Sequence, residues 1–112
     1  MASYNQVAAK LDGIFYRGDD FWIPLQILIG GNVTDTTSYN FDGYMVTSTG
    51  RLVSTVTRLA DTTGNIAVTF TDTQTASIPP SDGTVSLYIT MTDAAAYTRT
   101  IISGEYEVLS RA

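Results

Sequence analysis

Two segments of the chain alternate regularly between apolar and polar positions. Residues 84–92 carry an apolar side chain at every second position, with threonine, serine or tyrosine between, and residues 65–71 follow the same pattern in outline. Because successive side chains of a strand point to opposite faces, each segment predicts a β-strand with one buried face. The buried phases predict a core formed by Ile23, Leu25, Ile27, Ile66, Val68, Phe70, Val85, Leu87 and Ile89.

Turn residues divide the rest of the chain into similar segments. We predict seven strands, near residues 13–17, 21–29, 40–48, 51–59, 65–71, 84–92 and 98–108. The second strand contains Pro24, which favours a sheet edge or a bulge, and the fourth has no consistent phase, which favours a bulge. One helical turn is predicted within residues 71–78, capped by Thr71 or Asp72 and ended by Pro79 and Pro80.

Short strands at this spacing, without long repeats, are typical of a small β-sandwich. The fold prediction is therefore an all-β protein, a seven-stranded antiparallel β-sandwich of immunoglobulin-like (Ig-like) type. It occupies residues 13–112 and follows an N-terminal arm of residues 1–12, which shows no strand pattern. A chain of 112 residues is the size of one domain.

Composition excludes several classes of function. The net charge is −5 and the six cations are scattered, so no basic surface for nucleic acid is expected. The sequence contains neither cysteine nor histidine, which excludes disulfides, thiolate chemistry and imidazole catalysis. The first residues lack the pattern of a signal peptide, and the longest apolar run, residues 21–29, is too short and interrupted to span a membrane. We expect synthesis in a cytoplasm and no membrane partner.

Two acidic groups invite a chemical interpretation, and each has a simpler one. Gly18-Asp19-Asp20 resembles part of a calcium loop but has too few nearby oxygen ligands, so a turn is favoured. Glu105 and Glu107 share one face of a strand, yet a glycosidase pair also needs a cleft and a raised pKa, so a solvated face is favoured. We predict no enzyme activity, no catalytic residue, no metal and no cofactor.

Three apolar residues are the predicted interface. Trp22 and Leu28 lie on the outward phase of the second strand, and Ile101 lies on the outward phase of the seventh. An exposed tryptophan with other apolar residues nearby is typical of a contact surface. The alternative is that loops or the N-terminal arm cover these side chains.

Several of the turn and strand motifs also carry a family resemblance. They are Phe15-Tyr-Arg-Gly-Asp-Asp-Phe21, Asp35 with Tyr39-x-Phe41, Gly64-x-Ile-x-Val-x-Phe70, Gln74-Thr-Ala76 and Gly104-x-Tyr-x-Val108. Their order resembles small tailed-phage virion proteins with an Ig-like sandwich, similar to the N-terminal domain of baseplate upper proteins and to tail-fibre-associated proteins. The resemblance implies no catalytic residues.

The function expected from this resemblance is structural. The chain is predicted to be a component of a tailed-phage virion, made in the host cytoplasm, that acts as a tail or baseplate adaptor linking fibre or receptor-binding parts. Its predicted partners are other virion proteins in a symmetric, multi-copy assembly. One alternative is a capsid decoration protein. Another, from a different class, is a carbohydrate-binding module, which requires aromatic residues clustered on one loop end or one sheet face.

Overall fold

A computed structural model of the chain describes residues 9–29, 32–33 and 35–110. Over these residues the backbone forms eleven strands, one short helix and a 3₁₀ turn at Asp61–Thr63. In chain order they are β1 (Ala9–Lys10), β2 (Gly13–Tyr16), β3 (Phe21–Gln26), β4 (Leu28–Ile29), β5 (Asn32–Val33), β6 (Asn40–Thr47), β7 (Gly50–Val53), β8 (Thr55–Ala60), β9 (Asn65–Phe70), α1 (Asp72–Ala76), β10 (Thr84–Thr92) and β11 (Thr98–Leu109).

The strands form two main sheets. The larger sheet has the order β11-β10-β6-β7, and β1 and β2 both pair with β11 at its other side. The smaller sheet has the order β3-β9-β8 and is antiparallel. Strands β4 and β5 form a separate two-stranded hairpin.

Most of the predicted strands are confirmed. Strand β10 has the predicted bounds, and the predicted helical turn is α1, where Thr71 and Gln74 form a reciprocal capping box. Two predicted strands are divided: residues 21–29 break at Ile27, and residues 51–59 break at Ser54. A register shift between Arg58 and Ala60 gives the fourth predicted strand the irregularity that its pattern indicated.

The prediction of seven strictly antiparallel strands is wrong in detail. Strands β1 and β2 run parallel to β11, so the larger sheet is mixed. Residues 9–12, assigned to the arm, join this sheet, and the Leu11 N–H donates to the Ser103 carbonyl oxygen at 3.2 Å. Residues 1–8 of the arm lie outside the described residues. The described residues are nearly all-β, with 61% in strands and 8% in helix, in two main sheets compatible with a sandwich.

The core lies between the two sheets and contains the predicted residues. All of those predicted are buried except Leu25, which is half-buried and packs against both parts of the core. One part surrounds the aromatic rings of Phe15, Phe21 and Tyr106. The other lies near the opposite end of the strands and contains Ile27, Phe41, Ile66 and Met91.

Two arginines hold connections in place at the ends of the strands. Arg17, which follows β2, donates hydrogen bonds to the carbonyl oxygens of Ile78 at 2.8 Å and Pro79 at 2.9 Å. Arg58 of β8 donates to the Thr36 carbonyl oxygen at 2.7 Å and also bonds that of Tyr39. Charged donors form strong hydrogen bonds, so each arginine ties a long connection to a strand of the sandwich.

The buried phenol of Tyr106 predicts a loss of stability in alkali. Burial raises the pKa of Tyr106 above its ordinary value of 10.0, and the nearby negative charge of Asp12 raises it further. The folded state therefore keeps a proton that the unfolded state releases. The stability that this difference contributes is complete below about pH 10 and is lost as pH rises further. We expect Tyr106→Phe to reduce the fall in unfolding free energy between about pH 8 and about pH 11, measured by urea titration.

The exposed Tyr97 provides the control for this experiment. Tyr97→Phe makes the same chemical change at a side chain that is 71% exposed, so it should change the unfolding free energy by no more than about 0.5 kcal/mol. An equally steep alkaline loss in Tyr106→Phe and in the natural protein would show that another group causes it.

Candidate functional site

The candidate sites among the described residues are exposed apolar and aromatic surfaces. In residues 9–29, 32–33 and 35–110, no group of three or more acidic side chains could hold a metal ion. No helix in this part of the chain is long and apolar enough to cross a membrane. The large apolar side chains that remain exposed are Ile14, Tyr16, Trp22, Leu28, Val33, Val46, Val53, Leu59 and Tyr97.

Four of these exposed side chains belong to one end of the sandwich. The end of β3 pairs with the start of β9, through Gln26 and Asn65, and the end of β10 pairs with the starts of both β6 and β11. The core residues Ile27 and Phe41 pack together and so bring these strand ends of the two sheets to the same side. We call this side the apolar end and define it by its exposed residues, Leu28, Val33, Leu59 and Tyr97.

The loop between β10 and β11 presents Tyr97 in a fixed backbone conformation. The Asp93 carboxylate accepts hydrogen bonds from the N–H groups of Ala95 and Tyr97, both at 3.0 Å. The Asp93 N–H donates to the Tyr97 carbonyl oxygen, also at 3.0 Å, and closes the loop. Tyr97 is 71% exposed despite this ordering. An ordered loop with an exposed aromatic ring loses little entropy when a partner binds.

A hairpin and a bulged strand supply the other apolar residues of this end. Leu28 and Val33 are directly paired across β4 and β5, which places both side chains on one face of the hairpin. Leu59 lies at the register shift near the end of β8 and is more than half exposed. These residues come from two connections and one strand end, so the apolar end is not a single exposed segment.

Two ion pairs lie at the apolar end. Arg58 lies 3.0 Å from Asp61, and Arg99 lies 3.6 Å from Asp93. Asp35 is a further acid there, and the Thr37 hydroxyl and then its N–H lower the pKa of Asp35 by hydrogen bonding.

The opposite end of the sandwich has a different character. Its connections carry the acidic residues Asp19, Asp20, Asp72 and Asp82, and Arg17 there binds backbone carbonyl oxygens. Tyr16, at the end of β2, and Trp22, near the start of β3, are exposed at or near this end, so the two ends differ mainly in charge.

The predicted interface residues do not form one surface. Trp22 is 57% exposed and Leu28 is 49% exposed, as their phase indicates. They are six positions apart along nearly extended chain, a separation of about 20 Å, and only Leu28 lies at the apolar end. A contact role for either residue remains a prediction.

The prediction that Ile101 points outward is wrong. Its side chain is half-buried and packs against both parts of the core. The register between β10 and β11 shifts after Ile89, which pairs with Ile102, whereas Thr90 pairs with Thr100. This bulge places Ile101 between two successive pairs, and strict alternation cannot predict the direction of such a residue.

Trp22 lies on a sheet edge, one of the two placements that Pro24 in this strand favoured. Strand β3 is the first strand of the order β3-β9-β8, and Trp22 pairs with Thr69 on its one neighbour. Pro24 occupies the middle of this edge strand, where it has no N–H to offer a further strand.

A second aromatic surface lies on the outer face of the larger sheet. Tyr44 and Tyr88 are directly paired, and their ring centroids are 5.5 Å apart. The guanidinium carbon of Arg51 lies 4.3 Å from the centroid of the Tyr44 ring, in a cation–π arrangement. Val46 and Val53 flank these residues, and we call the five side chains the tyrosine face. No local motif marks Arg51 as part of this surface, because only the pairing of β6 with β7 brings it to Tyr44.

The acidic groups have the simpler roles that the sequence favours. Gly18 has a φ of +92°, and its N–H donates to the Thr75 hydroxyl at 3.0 Å, so residues 18–20 form a turn held against α1. The Asp20 carboxylate accepts from the Asp72 N–H at 2.7 Å. Glu105 and Glu107 are exposed on the outer face of β11.

Comparisons with known proteins find a similar fold without a family. No family model matches the sequence, and no curated protein matches it. Among solved structures, the R347E mutant of the SrpA adhesin from Streptococcus sanguinis matches with a TM-score of 0.52 and 18% sequence identity. The match covers 88% of this chain and 55% of the adhesin chain, so this protein spans about half the length of that structure.

These findings correct the family resemblance. The similarity to tailed-phage virion proteins is wrong, because the structural match is a streptococcal adhesin and neither sequence comparison supports a phage relative. The motifs that carried the resemblance are turn glycines and alternating strand residues, which many β-sandwiches need for folding alone. At 18% identity, the match to the adhesin shows a shared fold and no shared function.

Proposed function

We propose that this chain is a non-catalytic, Ig-like binding domain whose apolar end contacts another protein. The Ig-like assignment is supported by strand order. The order β11-β10-β6-β7 corresponds to strands G, F and C with one additional strand, and β3-β9-β8 corresponds to B, E and D. In Ig-like sandwiches the connections at one end often form the binding surface, because the sheets hold them rigidly.

The observation that carries the proposal is the contrast between the two ends. The apolar end exposes four large apolar side chains, and two of its acids are paired with arginines. The centres of protein interfaces are rich in aromatic residues and poor in unpaired charge. The connections of the acidic end carry four aspartates, so its charge suits the centre of an interface less well.

This proposal keeps the adaptor role of the sequence analysis in a more general form. A domain that binds one partner through an end leaves both sheet faces free for other contacts. That the partner is another virion protein, in a tail, baseplate or head, stays a prediction that rests on no family match. The proposal for the apolar end does not depend on it.

Site-specific photo-crosslinking tests the proposal directly. Replacing Tyr97 with p-benzoylphenylalanine keeps an aromatic side chain, and illumination of the producing cells should yield one discrete adduct with a partner protein. The matched control places the same probe at Thr73, an exposed position of α1 at the acidic end, where we expect no such adduct.

A double substitution links the adduct to the apolar end. Leu28→Ser with Val33→Ser should abolish crosslinking from position 97 and leave the unfolding transition nearly unchanged, because both side chains are exposed. Equal crosslinking from positions 73 and 97, or an adduct that survives the double substitution, would contradict the proposal.

Carbohydrate binding is a second candidate, because two observations favour it. Tyr44 and Tyr88 lie together on one sheet face, which meets the requirement for clustered aromatic residues, and the structural match is an adhesin. Arg51 already covers one face of Tyr44, so Tyr88 is the ring more available to a sugar. Titration with host-surface glycans should then show binding that Tyr88→Ala removes and Tyr97→Ala preserves. An absence of binding to the natural protein would exclude this candidate.

A further inference from the structure

The edge strands of the two main sheets differ in charge. Among the described residues, β7 carries Arg51, β8 carries Arg58, and the edge formed by β1 and β2 carries Lys10 and, between the strands, Asp12. Strand β3 has the sequence Phe-Trp-Ile-Pro-Leu-Gln and no charge. A charged residue on an exposed edge normally discourages pairing with another chain. On β3 no charge opposes such pairing, and Pro24 is the residue that weakens it.

Symmetry makes an uncharged edge suited to contact with itself. When two copies pair about a two-fold axis, each edge meets the same edge of the partner. Like charges brought together in this way are destabilising, and the net charge of −5 on each copy adds general repulsion. Strand β3 avoids the local repulsion that the charged edges would create.

We propose that β3 pairs antiparallel with β3 of a second copy, which joins the two three-stranded sheets into one sheet of six strands. This inference concerns a surface distinct from the apolar end and does not rest on the proposed function. It assigns Trp22 a role, because the exposed indole lies on the outer face of this edge.

The alternation of side chains restricts the register of such a pair. Outer-face residues of one copy must lie opposite outer-face residues of the partner, because side chains alternate along each strand. In an antiparallel pair of identical strands, this requires that one residue lies opposite the same residue of the partner. The two-fold axis is at the position of that residue. Near the centre of the strand this leaves an axis at Ile23 or at Pro24. Trp22 then lies opposite Pro24 of the partner subunit in the first register, or opposite Gln26 of the partner subunit in the second. Both registers cover one side of the indole.

Pro24 limits the strength of this association. Because proline has no N–H, each copy contributes one hydrogen-bond donor fewer to the central ladder. We therefore expect a reversible dimer that dissociates on dilution.

The fluorescence of the single tryptophan provides a local readout. Trp22 is the only tryptophan of the sequence, so the emission maximum reports on this position alone. From micromolar to near-millimolar concentration, analytical ultracentrifugation should show a shift from monomer to dimer. Over the same range the emission of Trp22 should move to shorter wavelength, because the indole leaves water.

Two substitutions and a control identify the surface. Trp22→Lys removes the indole and places a positive charge two positions from its counterpart in the first register and four in the second, and Trp22→Ala removes the indole alone, so each should raise the dissociation constant about tenfold or more. Thr57→Lys introduces the same charge on the outer face of β8, at the opposite edge of the sheet, and should leave the dissociation constant unchanged. Circular dichroism verifies that each variant is folded.

Each other outcome overturns the inference. A natural protein that stays monomeric with constant Trp22 emission has no β3 contact of this kind. A dimer that persists in Trp22→Lys uses another surface, and equal weakening by Thr57→Lys indicates an effect of the added lysine that is not specific to β3.

Discussion

Replacing Gly104 with alanine is expected to destabilise the protein by about 3 kcal/mol or more, because the added carbon has no space. A Cβ atom at this position would lie 2.6 Å from the carbonyl carbon of Leu11 and closer still to its oxygen. Both atoms belong to the backbone, so no side-chain rotation relieves the overlap. Urea denaturation followed by circular dichroism measures the loss in unfolding free energy.

The neighbouring hydrogen bonds explain why the first strand cannot simply move aside. The Leu11 N–H donates to the Ser103 carbonyl oxygen, and the Asp12 carboxylate accepts from the Glu105 N–H at 2.9 Å. These bonds fix the chain on both sides of Gly104. An alanine there must therefore strain the backbone or separate the first strand from β11.

Gly83 provides the matched control. A Cβ atom at Gly83 meets no other atom within 4 Å, so Gly83→Ala should change stability by no more than about 0.5 kcal/mol. Equal effects of the two substitutions would show that the close approach of Leu11 to Gly104 is not a constraint on the fold.

Local patterns predicted most strands because they depend only on adjacent residues. Strand β10 alternates without interruption and has the predicted bounds, and the Thr71 cap and the prolines fixed the position of α1. The parallel pairing of β1 and β2 with β11 could not be predicted in this way. It joins residues more than ninety positions apart, and residues 9–12 have no alternation to indicate a strand.

The candidate site was predictable in part for the same reason. The phase of β3 indicated that Trp22 is exposed, but nothing local marked the break at Ile27, which separates Leu28 from the strand that bears Trp22. The bulge after Ile89 reversed the placement of Ile101. The apolar end and the tyrosine face depend on which loops and strands become neighbours, and that information is distributed over the whole chain.

The contacts of the arginines were the hardest to predict from the sequence. The cations were described as scattered, yet Arg17 bonds carbonyl oxygens about sixty positions away and Arg58 pairs with Asp61 while it holds Thr36. Long side chains with several donors reach distant backbone groups, and no short motif marks such contacts.

The second large effect is expected for Leu87→Ala, which should cost about 2–5 kcal/mol of unfolding free energy. Leu87 has no exposed surface and lies at the centre of the larger sheet, paired with Met45 on β6 and with Gly104 on β11. Because Gly104 has no side chain, that neighbour cannot fill the cavity left by the lost methyl groups. The cost of a cavity rises when its surroundings cannot collapse, so we expect a value in the upper half of this range.

Leu59→Ala makes the same chemical change at an exposed position. Leu59 lies on β8 with more than half of its surface in water, so its truncation should cost less than about 0.5 kcal/mol. Both variants are compared with the natural protein by urea denaturation at equal concentration. A loss below about 0.5 kcal/mol in Leu87→Ala would mean that this side chain does not face the core. The alternation in β10, on which the predicted core depends, would then have been assigned the wrong phase.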